Sequence, residues 1–287
     1  MSSEKNKVFG GCLYLVGTPI GNLADISERA KKVLAEVDFV AAEDTRNSLK
    51  LLMALGIKNE LVSYHEHNRK ASGERIVARL LGGESCALIT DAGMPAISDP
   101  GEDIVRLCAE AGITVYVIPG PCAAVCALAV SGISTNRFAF EGFLSAKDSE
   151  RKKRLERLKN EDRTMIFYEA PHKLKNTIAA MCEVFGTDRK ISFCREITKL
   201  NEEVNRLTLG KAMEYYEANE PRGEYVLVVE GYDGELVSED TLELLSLSPE
   251  EHVDRYVADG LGRMDAIKKA AKDRGMSKSE LYKLLNT

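Results

Sequence analysis

Between Leu13 and Gly120, short apolar runs alternate with amphipathic stretches, the pattern of parallel strands covered by helices on both faces. Leu13 to Val16, Phe39 to Ala42, Ala87 to Thr90 and Thr114 to Ile118 read as buried strands, and another ends at Tyr64-His65-Glu66-His67. Asp25, three residues before Glu28, has capping-box spacing for a helix with Ile26, Val33, Leu34 and Val37 inside. After the small apolar helix Ala123 to Val130, a second α/β set begins. Its strands are Phe138 to Phe143, Met165 to Tyr168, Ile191 to Cys194 and Tyr225 to Glu230, with one helix opened by Pro171 and another near Lys211 to Ala218. The pattern predicts an N-terminal α/β domain over 12–121, a C-terminal α/β domain over 122–232 and a remainder over 233–287. From Asp233 to Glu251 there are seven acids and no Lys or Arg, a solvated linker by composition. Leu261 to Leu285 then predicts a helical appendix of two short helices, the second capped by Ser277 with Glu280 at capping-box spacing.

The loops after the strands carry the chemistry. Of eight prolines, Pro19, Pro95, Pro100, Pro119, Pro121 and Pro171 follow predicted strands. Loops rich in proline and glycine hold their shape while bringing bare backbone to a ligand, and in open α/β sheets ligands bind at the carboxyl ends of the strands. A single such residue only punctuates a loop; a whole sheet edge of them points to binding. The glycines do not form a dinucleotide fingerprint: Gly17 and Gly21 lack G-x-G-x-x-G spacing, and Pro19 removes an N–H that a pyrophosphate would use. No P-loop pattern occurs. One strand runs into Asp91-Ala92-Gly93-Met94-Pro95, where Asp91 can accept from a hydroxyl or ammonium and Ala92 and Gly93 permit close approach. That suits a small zwitterion; alternatively Asp91 caps its own turn.

Composition narrows the partners. With 45 acids against 39 bases the net charge is −6, which excludes a polybasic nucleic-acid coat, and 44% hydrophobic residues suffice for a packed core. No apolar run reaches the roughly 18 residues of a membrane span, and MSSEKNK lacks a signal's apolar stretch, so a cytoplasmic protein is expected. The seven cysteines are scattered without a Cys-x-x-Cys pair, so reduced thiols and no metal site are expected.

Seven ordered segments now matter together: Leu15-Val-Gly-Thr-Pro-Ile-Gly-Asn22, Ala42-Glu-Asp-Thr-Arg46, Ser63-Tyr-His-Glu-His-Asn68, Thr90-Asp-Ala-Gly-Met-Pro-Ala-Ile-Ser-Asp-Pro-Gly101, Ile118-Pro-Gly-Pro121, Phe167-Tyr-Glu-Ala-Pro-His172 and Arg195-Glu-Ile-Thr198. Through them Leu13 to Gly231 resembles the tetrapyrrole-methylase-like S-adenosylmethionine-dependent methyltransferases, most similarly the branch that 2′-O-methylates a cytidine of 16S rRNA at the decoding region of the small ribosomal subunit. Two positions depart from that pattern: Met94 replaces an expected Thr, and Cys122 an expected Ser. The resemblance implies a two-domain tetrapyrrole-methylase-like α/β fold with S-adenosyl-L-methionine in an interdomain cleft, and a homodimer. It implies that Asp91, Ala92, Gly93, Ile97, Ser98, Pro119, Gly120, Cys122 and Ala123 hold the methionine end. Tyr168, Arg195 and Tyr225 then lie near the adenine, and the loop from Gly17 to Asn22 faces the acceptor.

Methyl transfer to a hydroxyl needs alignment and a group to take its proton. Glu43, Asp44, His65 and Glu169 are candidates, with Arg46 available to grip a phosphate; Glu43 to Arg46 reads equally as a helix cap with an ion pair. An RNA acceptor needs positive charge. Lys147, Arg151, Lys152, Lys153 and Arg154 supply one run, and Lys268, Lys269 and Lys272 lie in the basic tail; each is alternatively a solvated helix face. The rivals are a C-methyltransferase of a tetrapyrrole precursor, which gives no reason for a basic tail, and a non-enzymatic RNA-binding module.

Overall fold

The computed structural model describes residues 7–234 and 244–285. Five strands, β1 (Cys12–Val16), β2 (Phe39–Ala42), β3 (Glu60–Ser63), β4 (Cys86–Ile89) and β5 (Thr114–Ile118), form a wholly parallel sheet in the order β3-β2-β4-β1-β5. These strands are apolar on both sides because helices cover both sheet faces. Tyr14, Val16, Val40 and Ile89 pack under α1 (Glu28–Glu36) and α2 (Thr45–Ala54). Leu13, Phe39, Ala41 and Leu88 pack under α3 (Arg69–Leu81) and α4 (Glu102–Glu110). The order places β4 beside β1, so the loops leaving these two strands are neighbours.

The second sheet contains β6 (Phe138–Phe143), β7 (Thr164–Glu169), β8 (Lys190–Arg195), β9 (Glu203–Thr208) and β10 (Tyr225–Val229) in the order β6-β7-β10-β8-β9. Only β6 and β7 pair in parallel; β10 runs antiparallel to both neighbours. Its first residue, Tyr225, therefore stands opposite Glu169 and Arg195, the last residues of β7 and β8. This topology gathers three residues distant in sequence at one edge. α5 (Ala123–Ser131) covers one face through Ala124, Ala127 and Leu128, while α6 (Asp148–Leu158), α7 (Pro171–Phe185) and α8 (Leu209–Ala218) cover the other.

By compactness the chain divides into units 1–232 and 233–287. The second unit has helices Pro249–Ala258, Arg263–Asp273 and Lys278–Leu284 around Val253, Ile267, Ala270 and Leu281. Ser277 and Glu280 form a reciprocal capping box, as their spacing suggests.

Several elements differ from the sequence reading. The first helix is capped by Ser27, whose side chain accepts from Ala30 N, because Asp25 is used up in a 3-10 turn (Leu23–Asp25). β9 has no counterpart in the reading, since this edge strand is half exposed and its residues, EVNRLT, are not an apolar run. The acidic stretch ends earlier than its composition suggests: Ser248 and Glu251 make a second capping box, with Pro249 opening a helix. Residues 235–243 of that stretch lie outside the described residues.

Candidate active site

The neighbouring loops after β1, β4 and β5 are fastened to one another by backbone. Thr18 and Gly93 exchange backbone hydrogen bonds of 2.9 and 3.2 Å, and the buried Thr18 hydroxyl donates to the Thr90 carbonyl at 3.1 Å. Gly17 and Gly120 touch: a Cβ built on Gly17 would lie 2.6 Å from the Gly120 Cα and 2.7 Å from the Met94 sulfur. No side chain fits between these loops. After β4 the chain takes left-handed angles at Gly93 (φ 86), Ala96 (φ 69) and Ser98 (φ 61). The two non-glycines are held in a strained state of the kind that clusters at ligand sites. The loop after β8 repeats this at Glu196 (φ 51) and Thr198 (φ 67).

Between these two strained loops lies a cavity of about 410 Å³, within the range that encloses a small organic ligand. The first sheet supplies Asp91, Ala92, Gly93, Met94, Ile97, Ser98 and Asp99, with Ile20 from the loop after β1. Cys122 and Ala123 stand at the start of α5, where the Cys122 side chain makes no cap bond and the Ala124 N–H turns to the Tyr168 hydroxyl. The second sheet contributes Tyr168, Glu169, Tyr225 and the loop residues Glu196 and Lys199. Phe140 and Phe143 hold the Tyr168 ring edge-on, with centroids 5.0 and 5.5 Å away. Burial pushes its phenol up to about 12, so the ring is a neutral flat surface. The Lys199 stem lies over Gly21, while its ammonium meets Glu196 at 2.9 Å and Glu224 at 2.7 Å.

Acids predominate around the cavity. Asp91 accepts from the Asn47 amide at 2.8 Å. Partial burial raises the Asp99 carboxyl to about 6, with repulsion from Glu43 and Asp91 adding to the shift. The Thr90 hydroxyl donates to Glu43 at 3.0 Å. Asp99 lies within the Thr90 to Gly101 segment, and its half-buried place beside Glu43 and Asp91 emerges only from the assembled loops.

The remaining sequence candidates fall into distinct places. Asp44 caps α2 and binds Arg46 in a fork of 3.1 and 2.8 Å, which lowers the carboxyl to about 2. The Arg46 side chain is 86% exposed. Glu169 is buried, accepting from Ala170 N and from the Thr177 hydroxyl at 2.5 Å. His65 stands beyond the end of β3, its Nδ1 buried without a partner and its ring edge-on to His67 at 6.0 Å. Pro119, Gly120 and Arg195 do not line the cavity; Arg195 bonds the Asn201 carbonyl and pairs with Glu203 at 3.4 Å.

In the basic run Arg151 points inward, its side chain 6% exposed and bonded to Asp148 at 2.6 Å. Lys147 pairs with Glu150, Lys152 with Glu183 and Arg154 with Glu141, while Lys153 faces solvent. In the other unit Lys268, Lys269 and Lys272 are exposed on one helix, and the Lys269 ammonium sits 4.3 Å from the Tyr256 ring centre.

Comparison with known proteins adds three findings. The profile of the family described as Tetrapyrrole (Corrin/Porphyrin) Methylases matches residues 12–213. A protein of Bacillus subtilis (strain 168) named "Ribosomal RNA small subunit methyltransferase I" is 47% identical over 272 residues, covering 95% of this chain and 93% of its own. Among solved structures, uroporphyrin-III-C-methyltransferase from Thermus thermophilus superposes with a TM-score of 0.53 at 21% identity, over 76% of this chain and 94% of that one. At that identity the superposition speaks for the fold.

Proposed function

From the chain's membership of the tetrapyrrole methylase family, whose methyl donor is S-adenosyl-L-methionine, we propose that it methylates small-subunit ribosomal RNA, at the 2′-hydroxyl of a cytidine in 16S rRNA. The supporting observation is the 47% identity running through 95% of the chain to a relative named for small-subunit rRNA methylation. The ribose hydroxyl and the cytidine follow the motif resemblance.

The cavity suits this donor in three respects. Asp91 offers a carboxylate to its ammonium, the Ala123 N–H at the start of α5 faces its carboxylate, and the neutral Tyr168 ring offers a face to its adenine. The donor, when bound, supplies a methyl on a positively charged sulfur, a charge that surrounding carboxylates favour. The protein's share is alignment: locked loops hold one wall of the cavity rigid. We assign residues 12–121 and 122–232 as the two domains that supply its walls.

RNA contact falls to the outward bases Lys147, Lys152, Lys153 and Arg154, and to Lys268, Lys269 and Lys272 of the tail. Exposed pairs such as Lys152 with Glu183 are weak, so a phosphate can replace the carboxylate. We place the enzyme in the cytoplasm as a homodimer; exposed Val117 on the free edge strand β5 and exposed Val125 on α5 offer apolar surface for a second copy. The test is nucleoside mass spectrometry of small subunits incubated with the protein and methyl-labelled donor. Label in 2′-O-methylcytidine is expected; label on a base, or none, overturns the reading.

A further inference from the structure

We propose that Phe143 is the platform on which the base of the acceptor nucleotide stacks, so that the ribose of that nucleotide is held at the cavity. The inference rests on the proposed methylation of ribosomal RNA and names a residue that receives it.

Phe143 reaches the cavity because β6 is irregular. Phe140 pairs with Ile166 and Gly142 with Phe167, so Glu141 is an extra residue without a partner on β7. Side chains alternate between the faces of a strand, and an unbroken β6 would place Phe143 on the face opposite Phe140. The extra residue reverses that: Phe143 pairs with Tyr168, and both phenylalanine rings meet the Tyr168 ring. Bulges are rare between parallel strands and recur beside active sites, where they re-aim a side chain. Gly142 supplies the left-handed turn (φ 64), and a Cβ there would lie 3.4 Å from the Ser98 hydroxyl of the strained loop after β4. The bulge thus carries Phe143 to the cavity alongside a loop of the first sheet.

The ring is not used as core. Phe143 is 54% exposed, whereas the other aromatic residues of the cavity, Tyr225 and Tyr168, are buried and half-buried. Ile97, also a lining residue, is a second exposed apolar side chain at this opening. The Phe143 and Tyr168 rings stand at 62° to each other with centroids 5.5 Å apart. A flat group lying on the Tyr168 face cannot lie on the Phe143 face as well, so the two rings serve two flat groups. The donor has one, its adenine, assigned to Tyr168. The acceptor nucleotide brings the other.

Charge favours RNA as that second occupant. Arg154 donates to the Glu141 carbonyl and to its carboxylate, both at 2.9 Å, which fastens the basic helix α6 to the bulge itself. Lys147, four residues beyond Phe143, is exposed, as is Arg154. Unpaired RNA is held by this combination, with cations along the phosphates and splayed bases on aromatic rings.

The experiment compares Phe143→Ala, Phe143→Leu and Phe143→Trp with wild type in the full chain. Its readouts are calorimetric binding of S-adenosylmethionine and single-turnover methylation at rising concentrations of small ribosomal subunits. Phe143→Ala and Phe143→Leu are expected to raise the half-saturating subunit concentration roughly 10-fold, and Phe143→Trp to keep it near the wild-type value, because stacking needs an aromatic face and not apolar area alone. Donor affinity is expected to stay at the wild-type level in all three. Wild-type half-saturation in Phe143→Ala overturns the inference, as does leucine serving as well as tryptophan, which reduces the ring to apolar packing. The leucine–tryptophan comparison decides the matter even where Phe143→Ala folds poorly. A loss of donor affinity would assign the ring to the adenine, and an altered oligomeric state in ultracentrifugation would assign it to a second copy; either result overturns the inference while leaving the rRNA reading in place. A wild-type chain that binds donor but methylates no RNA overturns that reading, and the inference with it.

Discussion

At the scale of single residues, the glycines were legible as special but not for their actual use. Gly17 reads as bare backbone offered to a ligand; in the fold its Cα faces that of Gly120. Gly17→Ala drives a methyl into backbone that cannot withdraw, so a loss of about 2 kcal/mol or more in stability is expected by denaturant titration, with donor affinity falling as the loops separate. Asp91 and Gly93 were legible as cavity-lining residues because the strand runs directly into them, whereas Asp99 was not, since its half-buried place beside Glu43 and Asp91 is a property of the assembled loops. Its carboxyl is raised from the ordinary 3.8 to about 6. The neutral form therefore favours folding below the unfolded value, and that contribution is lost as pH rises through about 6. Asp99→Asn should accordingly raise the melting temperature at pH 8, by about 2 °C after allowance for partial exposure, and give no gain near pH 4. A gain equal at both pH values would contradict the assigned cause.

At the scale of elements, the alternation of apolar runs identified the buried strands but not β9, whose exposed edge carries too little hydrophobic signal. Capping chemistry was read correctly at Ser277 and misplaced at Asp25, where two residues compete for one helix start and the serine hydroxyl reaches the free N–H. The charged helix α6 shows what composition alone conceals. Its bases look equivalent in sequence, yet Arg151 is packed inside while Lys152, Lys153 and Arg154 look outward. Arg151→Ala should therefore lower stability, by about 1–2 kcal/mol, through lost packing and hydrogen bonds to the Ser145 and Ala146 carbonyls. Reversing Lys152, Lys153 and Arg154 to Glu should instead leave donor binding intact and weaken small-subunit binding, with a shallower dependence on salt in a filter-binding titration. An unchanged salt slope would remove α6 from the RNA contact.

For the molecule as a whole, the order of seven motifs made the family legible, because each falls on a loop where the fold needs a particular backbone or charge. The antiparallel placement of β10, which brings Tyr225 opposite Glu169 and Arg195, was not legible, since strand pairing across the sequence is set by the sheet and not by any local pattern. The central claim is that the cavity between the loops after β4 and β8 is where S-adenosylmethionine sits. A crystal structure of the full chain with that donor tests it most directly. The account predicts the donor's methionine end between Asp91 and the start of α5 and its adenine at Tyr168. A donor bound anywhere outside these residues would contradict it.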